Sequence, residues 1–443
     1  MKKDLETLDK KYIWHPFTQM ADWEKEKPLI IEKAKGSYLT DTKGRRYLDG
    51  VSSLWCNIHG HQVPEIDRAV NTQLRKVAHS TFLGLSNVPA IELAQKLVSI
   101  APKGLKRVFY SDSGSEAVEI ALKMAYQYWQ QKGKKQKNKF VHLTHAYHGD
   151  TLGSVSVGGI DLFHEIYKPL LFRTYAIPGP DLYRRKSAED SLKKMEALFK
   201  KHSHKIAALV MEPLMQGAAG MIHQPPGYIS KVRKLTSQYH ILLIFDEVAT
   251  GFGRTGKMFA ADHERVTPDI LAVAKGLTGG YLPLAATLTT ETIYKEFLGD
   301  YSEFKTFFHG HTYTANPLAC RAALANLRLF EKKKTLEKLR VKIDLLKGSL
   351  RRFWDLSHVG DIRQVGFMVG IELVQDRGIK KPYLLEQKIG IQVIQEARKR
   401  NVILRPLGNV IVLMPPLSIS HSELAQLLDT TYDSIKAVTQ RSS

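Results

Sequence analysis

Short and continuous apolar runs alternate with helical patterns between residues 65 and 330. Examples of the runs are residues 107–110, 140–143, 206–210 and 241–245. A strand that is buried on both faces of a mainly parallel sheet is apolar at successive positions, and helices supply the connections between such strands. The pattern predicts an α/β fold in which a large, mainly parallel sheet forms the core.

The chain, at 443 residues, is long enough for a second and smaller domain. We predict an N-terminal segment (1–64) that packs with the small domain, a large domain (65–328) and a C-terminal small α+β domain (329–443). The elements predicted for the small domain are a helix at about 329–354, a strand at 366–373, a helix at about 385–399, a strand pair at 402–404 and 410–413, and a last amphipathic helix.

The chain is strongly basic, with 65 Lys and Arg against 44 Asp and Glu and a net charge of +21. A nucleic-acid partner or a pocket for anions would each explain that excess. The basic runs at 132–137 and 331–334 are scattered and contain no aromatic residues, which is typical of a solvated surface. We therefore expect no nucleic-acid partner.

Cys56 and Cys320 are the two cysteines, and their spacing fits neither a disulfide framework nor a zinc site. The histidines show no HExxH or comparable spacing, so no metal is expected. The first residues lack the apolar core of a signal peptide, and no run reaches the roughly 18 apolar residues of a membrane span. These features favour a cytoplasmic protein without a membrane partner.

Two charged residues stand at the ends of apolar runs. Asp246 follows the run 241–245, and Lys275 follows the run 270–274. Ligands bind at the carboxyl ends of strands in open α/β sheets, so both residues have places suited to binding. A desolvated lysine can lose its proton and form a Schiff base. A polar strand end and a surface lysine are the ordinary alternatives, and neither residue decides the matter alone.

Two further segments offer groups that could hold a ligand. Ser113-Gly114-Ser115-Glu116 opens an amphipathic helix, whose first N–H groups could hold a phosphate, although Ser113 and Glu116 also fit an ordinary capping box. Tyr147, in a turn with Gly149, offers a ring that could stack on a planar group. Structural turns contain tyrosine as often, so this signal is weak alone.

These groups together fit one cofactor, pyridoxal 5'-phosphate (PLP). An amine can bond to the aldehyde of PLP, and a carboxylate can pair with its pyridinium nitrogen. A helix N-terminus can bind its phosphate, and an aromatic side chain can stack on its flat ring. We therefore predict that Lys275 carries PLP and that Asp246 holds the ring nitrogen.

The sequence also resembles the class III aminotransferases of fold type I over almost the whole chain. The motifs that carry the resemblance are Phe245-Asp246-Glu247-Val248, Gly251-Phe252-Gly253-Arg254-Thr255-Gly256, Pro268-Asp269 and Lys275-Gly276. The resemblance implies a PLP-dependent transaminase that forms a homodimer, with the active site shared between subunits. The cofactor-binding residues that it implies are Gly114, Ser115, Tyr147, Glu212, Asp246, Lys275, His311 and Thr312, the last reaching the partner's phosphate.

A narrower set of motifs resembles the biotin-pathway branch of this family, which aminates 8-amino-7-oxononanoate (KAPA) to 7,8-diaminononanoate. These motifs include Trp14-His15-Pro16-Phe17-Thr18-Gln19-Met20, Ser52-Ser53-Leu54-Trp55 and Asn316-Pro317-Leu318-Ala319-Cys320. The resemblance implies that Arg405 clamps the KAPA carboxylate through its guanidinium group. The substrate-binding residues that it implies are Phe17, Leu54, Trp55, Tyr147, Lys275, Gly310 and Arg405.

Three positions depart from the commonest pattern of that branch. Phe17 stands where many members have Tyr, Leu54 where they have Trp, and His311 where they have Pro. Most members use S-adenosylmethionine as amino donor, whereas a branch that resembles this chain at Phe17 and Leu54 uses L-lysine. Both donors therefore stay open. The alternative functions are another class III transaminase, for an ω-amino acid or a diamine, and more remotely a basic nucleic-acid-binding protein.

Overall fold

The computed structural model describes residues 4–184 and 187–440. The strands in this part of the chain are β1 (Ile31–Lys35), β2 (Tyr38–Asp41), β3 (Arg46–Asp49), β4 (Leu105–Ser111), β5 (Lys139–Leu143), β6 (Tyr175–Ile177), β7 (Ile206–Met211), β8 (Met215–Gln216), β9 (Ile222–His223), β10 (Leu242–Asp246), β11 (Ile270–Val273), β12 (Ala285–Thr290), β13 (Val359–Val365), β14 (Met368–Asp376), β15 (Lys381–Pro382), β16 (Val402–Ile403), β17 (Arg405–Leu407) and β18 (Val410–Leu413). The helices are α1 (Leu5–Tyr12), α2 (Met20–Trp23), α3 (Ser52–Trp55), α4 (Pro64–Leu74), α5 (Val88–Ile100), α6 (Gly114–Gln131), α7 (Leu152–Ser156), α8 (Asp161–His164), α9 (Ala188–His202), α10 (Tyr228–Gln238), α11 (Glu291–Lys295), α12 (Pro317–Lys332), α13 (Thr335–Leu350), α14 (Ile389–Lys399) and α15 (His421–Thr439).

The main sheet has the strand order β4-β12-β11-β10-β7-β5-β6. Its neighbours are parallel except at β12, which runs antiparallel to both β4 and β11. The predicted α/β class with a large, mainly parallel sheet is confirmed. Because β4, β5, β7, β10 and β11 all run in the same direction, their carboxyl ends meet at one edge of the sheet.

Helices cover both faces of this sheet. Along β10, Leu242 and Ile244 belong to the apolar cluster that includes α6, whereas Leu243 and Phe245 belong to the larger cluster on the opposite face. Every residue of β7 and β10 is buried. Burial on both faces explains why these strands show no polar alternation in the sequence.

Two predictions for the C-terminal part were wrong. The single helix expected at 329–354 is interrupted, because Lys334 adopts a left-handed conformation (φ 50°) between α12 and α13. The strand at 402–403 does not pair with β18, because it lies parallel to β3 and completes a four-stranded sheet with β1 and β2. β17 pairs with β18 instead.

Arg254 ties distant parts of the chain together. It is 1% exposed, and its two terminal nitrogens donate to the backbone oxygens of Pro415 (2.7 Å) and Asn57 (2.8 Å). Burial lowers the pKa of Arg254 to about 10.

We expect Arg254→Met to lower the free energy of unfolding by about 2 kcal/mol, because two buried carbonyls lose their donors. Urea denaturation measures this loss, with Arg265→Met at an exposed position as the control. Equal stability of the two variants would contradict the structural role of Arg254.

Candidate active site

A cavity of 480 Å³ lies at the carboxyl edge of the main sheet. The predicted site residues that line it are Trp55, Gly114, Ser115, Tyr147, Glu212, Asp246 and Lys275. They come from segments far apart in the sequence, and the loops that follow the parallel strands bring most of them together. Phe17, Leu54, Gly310, His311, Thr312 and Arg405 are not among its lining residues.

Asp246 is the last residue of β10, and its carboxylate is fixed on both oxygens. One oxygen lies 2.7 Å from Nδ1 of His148, and the other accepts the N–H of Val248 at 3.0 Å. Both side chains of the Asp246–His148 pair are buried. No role for His148 in this site was predicted from the sequence. Its place beside Tyr147 in the same turn was the available signal for a role in this site.

Lys275 lies two residues after the end of β11 and has a positive φ of 43°. Its Nζ lies 4.9 Å from the centre of the Trp55 ring. Desolvation lowers the pKa of Lys275, and the carboxylates of Asp246 and Glu212 oppose that shift. A lowered pKa leaves more of this amine unprotonated and able to act as a nucleophile or base.

The N-terminus of α6 opens onto the same cavity. Ser113 and Glu116 form the capping box, so that expectation is confirmed. The turn that carries Gly149 packs closely on this terminus: a Cβ added at Gly149, whose φ is +121°, would lie 2.3 Å from Oγ of Ser115. A Cβ added at Gly114 would lie 2.6 Å from a methyl group of Val248. The packing around these two glycines therefore leaves no space for a larger side chain at either position.

Tyr147 and Glu212 form one wall of the cavity. The hydroxyl of Tyr147 donates to Asp150 at 2.8 Å, and burial together with that carboxylate raises the pKa of Tyr147. Glu212 accepts the N–H of Gly217 at 2.8 Å and that of Tyr147 at 3.4 Å. Burial raises the pKa of Glu212 to about 7, and the nearby Asp246 contributes to the shift.

The raised pKa of Glu212 predicts a pH-dependent stability. The folded chain holds a proton on this carboxyl more tightly than the unfolded chain does, so the contribution is complete below pH 4.5 and is lost as the pH rises through about 7. We expect the wild type to lose about 3 kcal/mol of unfolding free energy between these two pH values. The Glu212→Gln variant should not show this loss. Urea denaturation of the cofactor-free protein at several pH values tests this. Glu337→Gln, at an exposed position, should follow the wild-type pH profile.

The other predicted residues lie outside the cavity lining. Arg405, in β17, is near enough to Tyr147 to lower its pKa electrostatically. Phe17 and Leu54 are 59% and 48% exposed. Thr312 is also exposed.

His311 lies beside the N-terminus of α6. Its Nδ1 is 3.5 Å from Glu116 and 3.7 Å from Asp112, and these three side chains could together hold a metal ion. Sequence spacing did not predict this cluster. The Glu116 carboxylate already accepts the N–H groups of Asp112 and Ser113.

Comparison with known proteins identifies the class. The family model for class-III aminotransferases matches residues 19–435. A protein of Aquifex aeolicus named adenosylmethionine-8-amino-7-oxononanoate aminotransferase is 55% identical over 98% of this chain and 97% of its own length. The crystal structure of the Methanocaldococcus jannaschii protein of that name is 50% identical, with a TM-score of 0.95 and 98% of both chains covered.

A third relative carries a cofactor form. The omega transaminase of Pseudomonas jessenii, solved in complex with PMP, is 31% identical, with a TM-score of 0.94 and with 99% of this chain and 98% of that chain covered. The present chain therefore belongs to the class III aminotransferases, a family of PLP-dependent enzymes, and the resemblance seen in the sequence is confirmed. Among the described residues, no helix has both the length and the apolar character that a membrane crossing requires.

Proposed function

We propose that this enzyme aminates KAPA to 7,8-diaminononanoate by a ping-pong transamination. The observation that carries the proposal is near full-length identity of 50–55% to several relatives named for this reaction. The name of those relatives supports S-adenosylmethionine as the amino donor. Phe17 and Leu54 instead match the sequence pattern of the L-lysine branch.

The residues that line the cavity fit PLP. Lys275 offers an amine for its aldehyde, and the Asp246 carboxylate offers a partner for its ring nitrogen. Gly114 and Ser115, at the start of an 18-residue helix, offer backbone N–H groups for a phosphate. The ring of Tyr147 supplies a face for stacking. When bound, PLP would supply the electron sink on which the amino group is transferred.

The chain's own residues would then divide the work. Nζ of Lys275 would take the proton from the donor carbon and deliver it to the cofactor, a task that suits an amine with a lowered pKa. The Asp246 carboxylate would hold the cofactor nitrogen in its protonated form. His148 holds that carboxylate in place through its 2.7 Å hydrogen bond. Glu212 closes the wall beside Tyr147.

A homodimer would complete the site, with Thr312 reaching the phosphate of the partner subunit. The apolar side chains of Leu83, Phe308 and Tyr313 are 73%, 72% and 60% exposed, and Trp14 is 87% exposed. Exposed apolar groups of this size favour a covered interface.

The proposed division of the chain is an N-terminal segment (1–64), a large domain (65–328) and a C-terminal small domain (329–443). The pairing of β16 with β3 supports the docking of the first part on the third.

Arg405→Met tests the proposed carboxylate clamp. We expect KM for KAPA to rise about thirtyfold, because a charge-assisted hydrogen-bond pair is lost. Arg400→Met, on an exposed arginine of the same region, should leave KM unchanged. Steady-state kinetics with varied KAPA gives both values, and an unaltered KM in Arg405→Met would remove the clamp from the proposal.

Separate half-reactions test the function and identify the donor. The PLP form is mixed with S-adenosylmethionine or with L-lysine in the absence of KAPA, and the loss of its absorbance is followed. The aminated enzyme is then mixed with KAPA, and 7,8-diaminononanoate is measured. Conversion by one donor names that donor. Failure with KAPA, together with conversion of an ω-amino acid or a diamine, would contradict the proposal and favour another transaminase of the class.

A further inference from the structure

The segment that carries Trp55 into the cavity has a strained backbone. Ser52, Ser53 and Trp55 have φ values of 52°, 62° and 66°, although none of them is glycine. Such conformations persist where the surrounding structure fixes them, and they are frequent at ligand-binding sites. Three of them within four residues indicate that the position of this segment matters to the cavity.

Hydrogen bonds hold the backbone of this segment. The buried carboxylate of Asp49 accepts the N–H of Val51 at 3.1 Å and that of Ser53 at 2.6 Å. The hydroxyl of Ser52 donates to the backbone oxygen of Met414 at 2.7 Å. The N–H of Trp55 donates to the backbone oxygen of Val51 at 2.8 Å, so the backbone at Trp55 is also held and its side chain is the part of this wall that can adjust.

The side chain of Trp55 belongs to a buried apolar cluster that is rich in methionine. Its other members are Val51, Val412, Met215, Met221, Met368 and Met414, and the four methionines are 0% exposed. The whole chain has ten methionines, so this small cluster holds a large share of them. Methionine is unbranched and has three rotatable bonds, which lets a methionine cluster repack around a moving neighbour.

This methionine cluster lies where two sheets meet. Met215 opens β8 and Met221 directly precedes β9 in the hairpin that follows Glu212, whereas Met368 opens β14 and Met414 follows β18. On the cavity side, Nζ of Lys275 is 4.9 Å from the Trp55 ring. The ring therefore adjoins both the amine of Lys275 and the methionine cluster.

We propose that the methionine cluster makes Trp55 an adjustable wall, which lets one cavity bind the amino donor and the amino acceptor in turn. The inference rests on the proposed function, because a ping-pong transaminase must admit two differently shaped substrates to the same site. The fixed backbone keeps the wall in place, and the methionines let its ring shift between two positions. Branched side chains behind the ring would favour one position and therefore one substrate.

The double variant Met215→Leu/Met368→Leu tests this inference, because it keeps side-chain volume and removes flexibility. The matched control is Met124→Leu/Met195→Leu, at buried positions of other clusters. Each half-reaction of the holoenzyme is measured separately, with KAPA and with the donor that the wild type uses. We expect the ratio of the two kcat/KM values to change about fivefold through KM in the test variant. The control should keep the wild-type ratio.

A spectroscopic measurement reports on the ring itself. Enzyme labelled with 5-fluorotryptophan is studied in its aminated form, saturated either with the donor or with 7,8-diaminononanoate, since neither amine reacts with that form. Comparison with Trp55→Phe assigns the resonance. We expect the fluorine chemical shift of Trp55 to differ between the two wild-type complexes. The difference should be smaller in the methionine variant.

Two results would overturn the inference. One is a kcat/KM ratio in the test variant equal to that of the control, and the other is a single Trp55 resonance position in both wild-type complexes. If the wild type aminates KAPA, either result contradicts the adjustable wall and leaves the proposed function intact. A wild type that does not aminate KAPA contradicts the proposed function instead, and the ratio is then measured with the pair of substrates that it does convert.

Discussion

Lys275→Ala is expected to abolish amino transfer, with kcat lowered by at least about 10⁴-fold. The variant loses both the amine that would hold PLP and the base that would move the proton. Among residues 4–184 and 187–440, no other lysine lines the cavity, so no neighbour can take its place. Both half-reactions should stop, because each needs the same proton transfer in opposite directions. Stopped-flow absorbance with donor and with KAPA measures the two losses.

Lys342→Ala is the matched control for this prediction. Lys342 is also partly buried, burial also lowers its pKa, and its Nζ donates to the backbone oxygen of Leu417 at 2.7 Å away from the cavity. A general effect of removing a buried lysine would therefore appear in both variants. Activity of Lys275→Ala within tenfold of the wild type would refute the assigned role.

The sequence was sufficient to predict the central strands β7, β10 and β11 because they are buried on both faces. A run such as 241–245 is apolar at every position for that reason, and the structure divides its residues between two cores. The strand ends were predictable for the same reason. Asp246 and Lys275 stand where an apolar run stops, and the parallel sheet brings such ends to one edge.

Long-range pairing was not predictable. The β16 strand has two residues, and its partner β3 lies more than 350 positions earlier, so local periodicity contains no sign of it. The break at Lys334 was hidden because lysine is a good helix former, so its residue type gives no sign of the left-handed φ that separates α12 from α13.

The same limit applies to the site. The contact between His148 and Asp246 joins residues 98 positions apart, and no spacing rule connects them. The resemblance to the family supplied Glu212, which does line the cavity, although its local sequence shows no catalytic pattern. Thr312 and Gly310 came from the same resemblance but do not line the cavity of this chain. The proposed place of Thr312 in a partner's site depends on a dimer, whose contacts the spacing of residues along one chain does not reveal.

Asp246→Asn should have the second-largest effect, lowering kcat about a thousandfold. The amide keeps the size of the side chain but carries no charge, so it cannot hold a proton on the ring nitrogen of PLP. His148 remains beside it and can still form a hydrogen bond, so the fold around β10 should be unaltered. We therefore expect normal stability in urea together with very slow half-reactions.

Glu247→Gln separates this effect from the loss of a neighbouring carboxylate. Glu247 is fully buried, accepts the N–H groups of Ala260 and Ala261 and the hydroxyl of Thr250, and has a pKa raised by burial to about 7. An amide cannot accept all three bonds, so this variant should lose about 1–3 kcal/mol of unfolding free energy while kcat stays unchanged. The two adjacent carboxylates would then have different roles, since Asp246 takes part in the reaction and Glu247 stabilises the loop that follows β10. Equal losses of kcat in the two variants would mean that Asp246 acts only by supporting the strand end.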